Sequence, residues 1–269
     1  MEKRPHLKLL KASLLFFLAL NTSAQEWDLT ASKNINQQPV SQAVDFQGNI
    51  YLGFADGRLS KYGPDGEFLQ NFSLSNNSAI SLIDAQNNLK PFLFYFDNQT
   101  ITILDRFSTI PKIYHLANFG VEFGMMACPA PDGDIWVIEN NPQRLNKVNL
   151  LRKSTVIEAQ ISLGNTIRMM QAYQNFLFVA DEKGIHFFDQ FGGFVRSIEI
   201  EDLLNFHIKD GNLVVFTRKE MLSFSLSKST VQNKINLPEL PFQAAFKMEE
   251  GYLFVENKRL SFFKAVLKN

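Results

Sequence analysis

Ala43-Val44-Asp45-Phe46-Gln47-Gly48-Asn49-Ile50-Tyr51-Leu52, then Gly57-Arg58-Leu59-Ser60-Lys61-Tyr62, then Asp65-Gly66-Glu67-Phe68-Leu69, reads as strand, tight turn, strand, turn, strand, turn, strand. The turns Asp45 to Asn49 and Pro64-Asp65-Gly66 offer Gly and Asn, which accept positive φ at little cost. Between them the residues alternate with period 2, the pattern of half-buried strands. Working outward, the same turn-then-apolar-run device recurs at Gly48, Asn87, Gly133, Asn175, Gly211 and Gly251. Each anchor opens a run such as Ile135-Trp136-Val137, Leu177-Phe178-Val179 or Leu253-Phe254-Val255. The anchors lie 39, 46, 42, 36 and 40 residues apart. Short strands repeating near every 40 residues predict an all-β, six-bladed β-propeller with four strands per blade.

The first unit resembles the NHL repeat, whose consensus runs roughly A-V-D-x-x-G-N-I-Y-V-A-D, then R-I-x-x-F and a D-x-x-G turn. The third unit, Pro131-Asp132-Gly133-Asp134-Ile135-Trp136 with Arg144-Leu145-Asn146-Lys147-Val148, is a fair match, and the others keep mainly the period. The resemblance implies the propeller fold and a role in binding proteins, common among NHL-like propellers.

After Gly251 only two strands fit, Tyr252 to Glu256 and Leu260 to Val266, so the sixth blade lacks its outermost strand. Glu26-Trp27-Asp28-Leu29-Thr30 has no blade of its own and resembles the fourth strand of the first unit, Glu67-Phe68-Leu69-Gln70-Asn71. The N-terminal segment is therefore expected to pair with the last blade and close the ring, which removes two exposed sheet edges. Trp27 and Leu29 fall on one face, as a packed outer strand requires.

Residues 1–24 read as an export signal rather than as fold. Lys3, Arg4, Lys8 and Lys11 are basic, Leu14 to Leu20 is apolar, and Thr22-Ser23-Ala24 supplies small residues for cleavage. The apolar run is far short of the roughly 20 residues that span a bilayer. No Cys follows it, so no lipid anchor is expected. The expectation is a soluble periplasmic or extracellular protein, residues 25–269 forming a single propeller domain. That mature chain of 245 residues carries 23 basic and 26 acidic side chains, a net −3, which argues against nucleic acid as a partner. The one cysteine, Cys128, lies in the apolar stretch Met125-Met126-Ala127-Cys128 and reads as a buried, inert thiol.

Ligands of propellers sit at the mouth of the central channel, which the innermost strands line. Taking the four positions from eight to five before each anchor places Val40 to Ala43, Ala79 to Leu82, Met125 to Cys128, Ile167 to Met170, Leu203 to Phe206 and Gln243 to Phe246 there. None is a carboxylate or a histidine, and hard cations need several oxygen ligands. No metal, cofactor or catalytic residue is therefore expected. No Gly-x-Ser-x-Gly elbow, His-Glu-x-x-His or phosphate-cradling loop occurs. His115 and His186 read as strand packing residues, while His207 follows Phe206 near an inner strand.

Arg168 is the only charge in that inner set and has Glu122 or Glu201 as possible partners. The loop Asn118 to Gly124 carries Phe119, Val121 and Phe123 among the glycines Gly120 and Gly124, in the longest interval between anchors. Phe119, Glu122, Phe123, Arg168, Asn205 and His207 are thus the candidate binding residues. The expected function is an exported, non-catalytic interaction module for a protein partner of the cell envelope. The alternative is an enzyme or small-ligand binder acting on a sugar, lactone or peptide in the channel.

Overall fold

The computed structural model describes residues 25–74, 78–105, 107, 110–226 and 231–267. The segment read as an export signal, residues 1–24, lies outside the described residues.

Six four-stranded antiparallel sheets form the blades; in five of them the strands run inner, second, third, outer in chain order, while the sixth takes its outer strand from the N-terminal segment. Blade 1 starts at Ser41–Val44, and the inner strands of blades 2 to 6 are Leu82–Asp84, Gly124–Pro129, Met169–Tyr173, Leu203–Lys209 and Phe242–Met248. One short helical turn, Leu116–Phe119, is the only helix among the described residues. The second strands are buried along their whole length, as at Ile135–Glu139, or at every residue but the first, as at Phe176–Ala180. A strand covered on both faces by neighbouring blades reads as a continuous apolar run, which is how the anchored runs read.

Turn chemistry sets the hairpins. In blade 1, Oδ1 of Asp45 accepts hydrogen bonds from the Gln47 and Asn49 amides, each at 2.9 Å, and Gly48 takes φ +84°. The side chain thus does the work of a strand end, and only Gly is strain-free at the next step.

Apolar layers between blades hold the ring together. Ile50 and Leu52 of blade 1 pack with Phe246, Leu253 and Val255 of blade 6, so the first and last blades share one core. The segment Gln25–Asn34 is the outer strand of blade 6 and pairs with Arg259–Leu267 from Gln25 opposite Leu267 to Asn34 opposite Arg259. The expected closure is correct, and the closing strand is longer than expected. Trp27 packs edge-on against Tyr252 and Phe254, with ring centroids 5.0 and 5.7 Å away, and its Nε1 donates to the Asn236 carbonyl at 3.0 Å. Leu29, expected on the same packed face, is instead 57% exposed, just before the register shift that precedes Ala31.

Candidate functional site

Four-stranded blades place two kinds of turn on each end of the ring. One face carries the connections between blades and the turns joining second to third strands. The opposite face carries the turns leaving the inner strands and those between third and outer strands. The residues expected to bind a partner belong largely to the first face, and there the structure corrects several expectations.

Phe119 and Val121 are buried, not displayed: they join the core between blades 2 and 3, where Phe119 leans on Tyr114. The turn Leu116–Phe119 folds the loop inward, because burying these side chains gains more than a glycine-flanked loop loses. Phe123 remains 45% exposed but packs edge-on against Phe96 at 5.1 Å. Glu122 is exposed, and its amide donates to Oε1 of Glu139 at 2.6 Å. Arg168 pairs with neither Glu122 nor Glu201; its guanidinium donates to the Leu203 carbonyl at 2.7 Å, tying blade 4 to blade 5. Asn205 is buried and staples blade 5 to blade 6 through the amide and carbonyl of Ala245, at 3.0 and 2.8 Å. His207 lies between Phe216 and Phe246 with both ring nitrogens buried.

The buried acids of this face are fully engaged. Glu139 also accepts from the Asn146 amide group, Asp181 from the Gly164, Lys183 and Gly184 amides, and Glu256 from Arg259 and Ser261.

The second correction concerns the inner strands. Each runs one to three residues further toward the turn than expected, and the extension brings in a carboxylate, Asp84, and a histidine, His207. Asp84 ends the inner strand of blade 2 and is only 6% exposed. It accepts one hydrogen bond, from the Gln86 amide at 3.0 Å, and its other oxygen has no partner among the described residues. Burial pushes its carboxyl up to about 6, against the smaller lowering effect of that one hydrogen bond. Cys128, close by on blade 3, is buried as expected, and burial followed by the charge of Asp84 raises its thiol.

Asp84 lines a half-open cleft of about 940 Å³ on the second face. Buried Asp84, Phe92, Ala130 and Ile135 form its floor. Tyr114, Leu150 and Tyr173 make half-buried walls, and Lys90, Ile110, Lys112 and Asp132 stand exposed at the rim. The cleft therefore touches the inner-strand ends of blades 2, 3 and 4, at the channel mouth of that face. The Gln86 side chain reaches across to the Ala172 carbonyl at 3.4 Å, joining blades 2 and 4 over that mouth. Among the described residues, no group of three or more His, Cys, Asp or Glu side chains is placed to hold a metal ion. The sequence signal for this site was the pair Ile83-Asp84, which repeats Val44-Asp45 of blade 1.

Fold and cleft together define a six-bladed β-propeller with an acidic group at one channel mouth. Solved structures share this architecture. Virginiamycin B lyase from Staphylococcus aureus matches with a TM-score of 0.60 at 13% identity, over 90% of this chain and 100% of that one. A catalytically inactive variant of a Staphylococcus aureus virginiamycin B lyase, solved with quinupristin, matches with a TM-score of 0.61 at 15% identity, over 88% of each chain. A streptogramin B lyase matches with a TM-score of 0.61 at 12% identity, over 88% of this chain and 87% of that one. No family model matches the chain, and no curated protein matches it. At these identities the likeness establishes the fold.

The expectation of a non-catalytic scaffold is corrected on two findings. The three solved structures named above are of lyases, which are enzymes. The premise of inner strands without carboxylate or histidine also fails, at Asp84 and His207.

Proposed function

We propose that this chain works on a small molecule, as an enzyme or ligand-binding protein directed at a sugar, lactone or peptide, with the cleft over Asp84 as its site. The carrying observation is Asp84, a buried residue lining that cleft with one carboxylate oxygen that has no partner among the described residues, while the buried acids of the opposite face are satisfied. A large concave site with few convergent polar groups and a strongly shifted titratable residue is where small-molecule chemistry concentrates. A carboxyl titrating near 6 is able to anchor a ligand by charge or exchange a proton with it at neutral pH. The architecture shared with lyases supports a catalytic role, as an analogy of fold only.

Titrating a mixed set of monosaccharides, lactones and short peptides into the isotope-labelled protein, read on the backbone amides, tests this. Binders are expected to move the amides of Gln86, Asp134 and Tyr173. Ligands that instead move only Asn118 to Gly124 and Arg168, on the opposite face, would refute the assignment.

A further inference from the structure

We infer that the ligand of this cleft carries a protonated amine, which donates to the free oxygen of Asp84; the inference rests on the small-molecule reading above and names its chemistry. Blades 1 and 2 supply the comparison. Asp45 and Asp84 occupy the same step of their hairpins, because the preceding residues, Val44 and Ile83, pair with Ile50 and Leu93. In blade 1 the carboxylate is fully used. Its Oδ1 takes the Gln47 and Asn49 amides, and its Oδ2 takes Asn49 Nδ2 at 2.8 Å and the Tyr51 hydroxyl at 3.1 Å.

Counting back and forward one residue from Ile50 and from Leu93 puts Phe92 and Phe94 where blade 1 has Asn49 and Tyr51. Both side-chain donors are gone, yet Asp84 remains as buried as Asp45, at 6% against 5% exposure. A carboxylate of a buried residue left with a single donor is costly, and a structure that keeps one has a use for it.

The charge of the ligand follows from what surrounds this oxygen. The other acids of the lining are engaged: Asp132 by Lys147, Asp134 by Asn149 Nδ2 at 2.6 Å and Asp105 by the Ile110 amide at 3.1 Å. The two lining lysines, Lys90 and Lys112, are exposed at the rim. The uncompensated charge of the floor is therefore negative. An ammonium group supplies both the missing donor and the missing charge, through a charge-assisted bond. The aromatic lining of Phe92, Tyr114 and Tyr173 suits a cation with an apolar body. A hydroxyl would supply a donor and leave the charge standing.

The probes are 2-phenylethylamine and its neutral analogue 2-phenylethanol, titrated into the labelled protein at neutral pH. The amine is expected to move the amides of Gln86, Asp134 and Tyr173 and to bind at least about tenfold more tightly than the alcohol. Asp84→Asn should remove that preference while keeping a folded spectrum and an unchanged or higher melting temperature, since it relieves a buried charge. A second reading needs no substitution: on the wild-type protein, amine affinity should fall as pH drops through about 6, and alcohol affinity should not. Equal binding of amine and alcohol in the cleft overturns the amine assignment and leaves a small-molecule site. No movement of the cleft amides by either probe up to about 10 mM also overturns the amine assignment, and the small-molecule reading then stands or falls with the mixed ligand set above.

Discussion

His207 is the residue at which burial and chemistry conflict most. Its ring stacks on Phe216 at 5.8 Å with 16° between the planes, and leans on Phe246 at 5.6 Å. Both nitrogens are buried and lack hydrogen-bond partners among the described residues. Burial, with smaller contributions from Lys209 and Lys247, lowers its pKa to about 3. The folded value lies below the ordinary 6.5, so the unfolded chain takes up the proton first as pH falls. Stability is therefore lost on descending through about 6.5, by up to about 1.4 kcal/mol per pH unit, and the loss levels off near 3. Asp84 has the opposite sign: its folded pKa near 6 exceeds the ordinary 3.8, so its burial costs stability above 6 and is relieved below. Because the two oppose, each shows only by comparing a variant with the wild type at the same pH. His207→Phe, which keeps the stack and removes the nitrogens, should raise the melting temperature, and by more at about pH 5 than at about pH 8. An equal gain at both values would mean that the imidazole is not held neutral.

Among the elements, the closing strand was the most legible, because it looked like an outer strand with no blade and the last blade lacked one. Removing residues 25–34 uncovers the edge of Arg259–Leu267 and takes Trp27 off Tyr252, Phe254 and Phe263. The deletion should lower the melting temperature by more than about 10 °C and promote self-association through the bared edge, read by thermal unfolding and light scattering. A deletion variant with the stability of the parent would mean that the inter-blade layers alone hold the ring. The second strands were equally plain, since short, nearly continuous apolar runs have no other place in such a fold. The inner-strand ends were not, because the residues that finish a strand are the same types that begin a turn. Asp84 escaped for that reason. Its separation from Asp45 in meaning was also hidden, since the change that frees it is two phenylalanines on the next strand, beyond a longer loop. Phe119 misled in the other direction: the glycines that follow it suggested display, whereas the short helical turn before Gly120 rotates it into the core.

At the scale of the whole molecule, blades are near-equivalent units, and an architecture kept at 12–15% identity is carried by pattern more than by particular residues. Where the chain is cut should then matter little, provided the cut falls in a turn between a third and an outer strand, as the natural seam does. Joining the ends through a short flexible linker and opening the chain between Leu151, which is 94% exposed, and Arg152 gives a permutant with its seam in blade 3. It should keep a single cooperative unfolding transition with a midpoint within about 5 °C of the parent. Loss of cooperativity would show that blade 6 has a special part in the ring.

The seam also dictates an order of events in time. Thr30 bonds to the carbonyl of Phe262, 232 residues away. Bringing such distant segments together costs about 5 kcal/mol of chain entropy, far more than any of the hairpins that make up the other blades. The leading strand is therefore the first to be synthesised and the last to find its partner. Throughout that interval it travels as a lone, sticky ribbon ahead of a growing row of finished blades. The hazard of this protein is thus concentrated in its birth: a second chain caught at the same stage can offer its own final blade to the waiting strand, clasping two molecules into one.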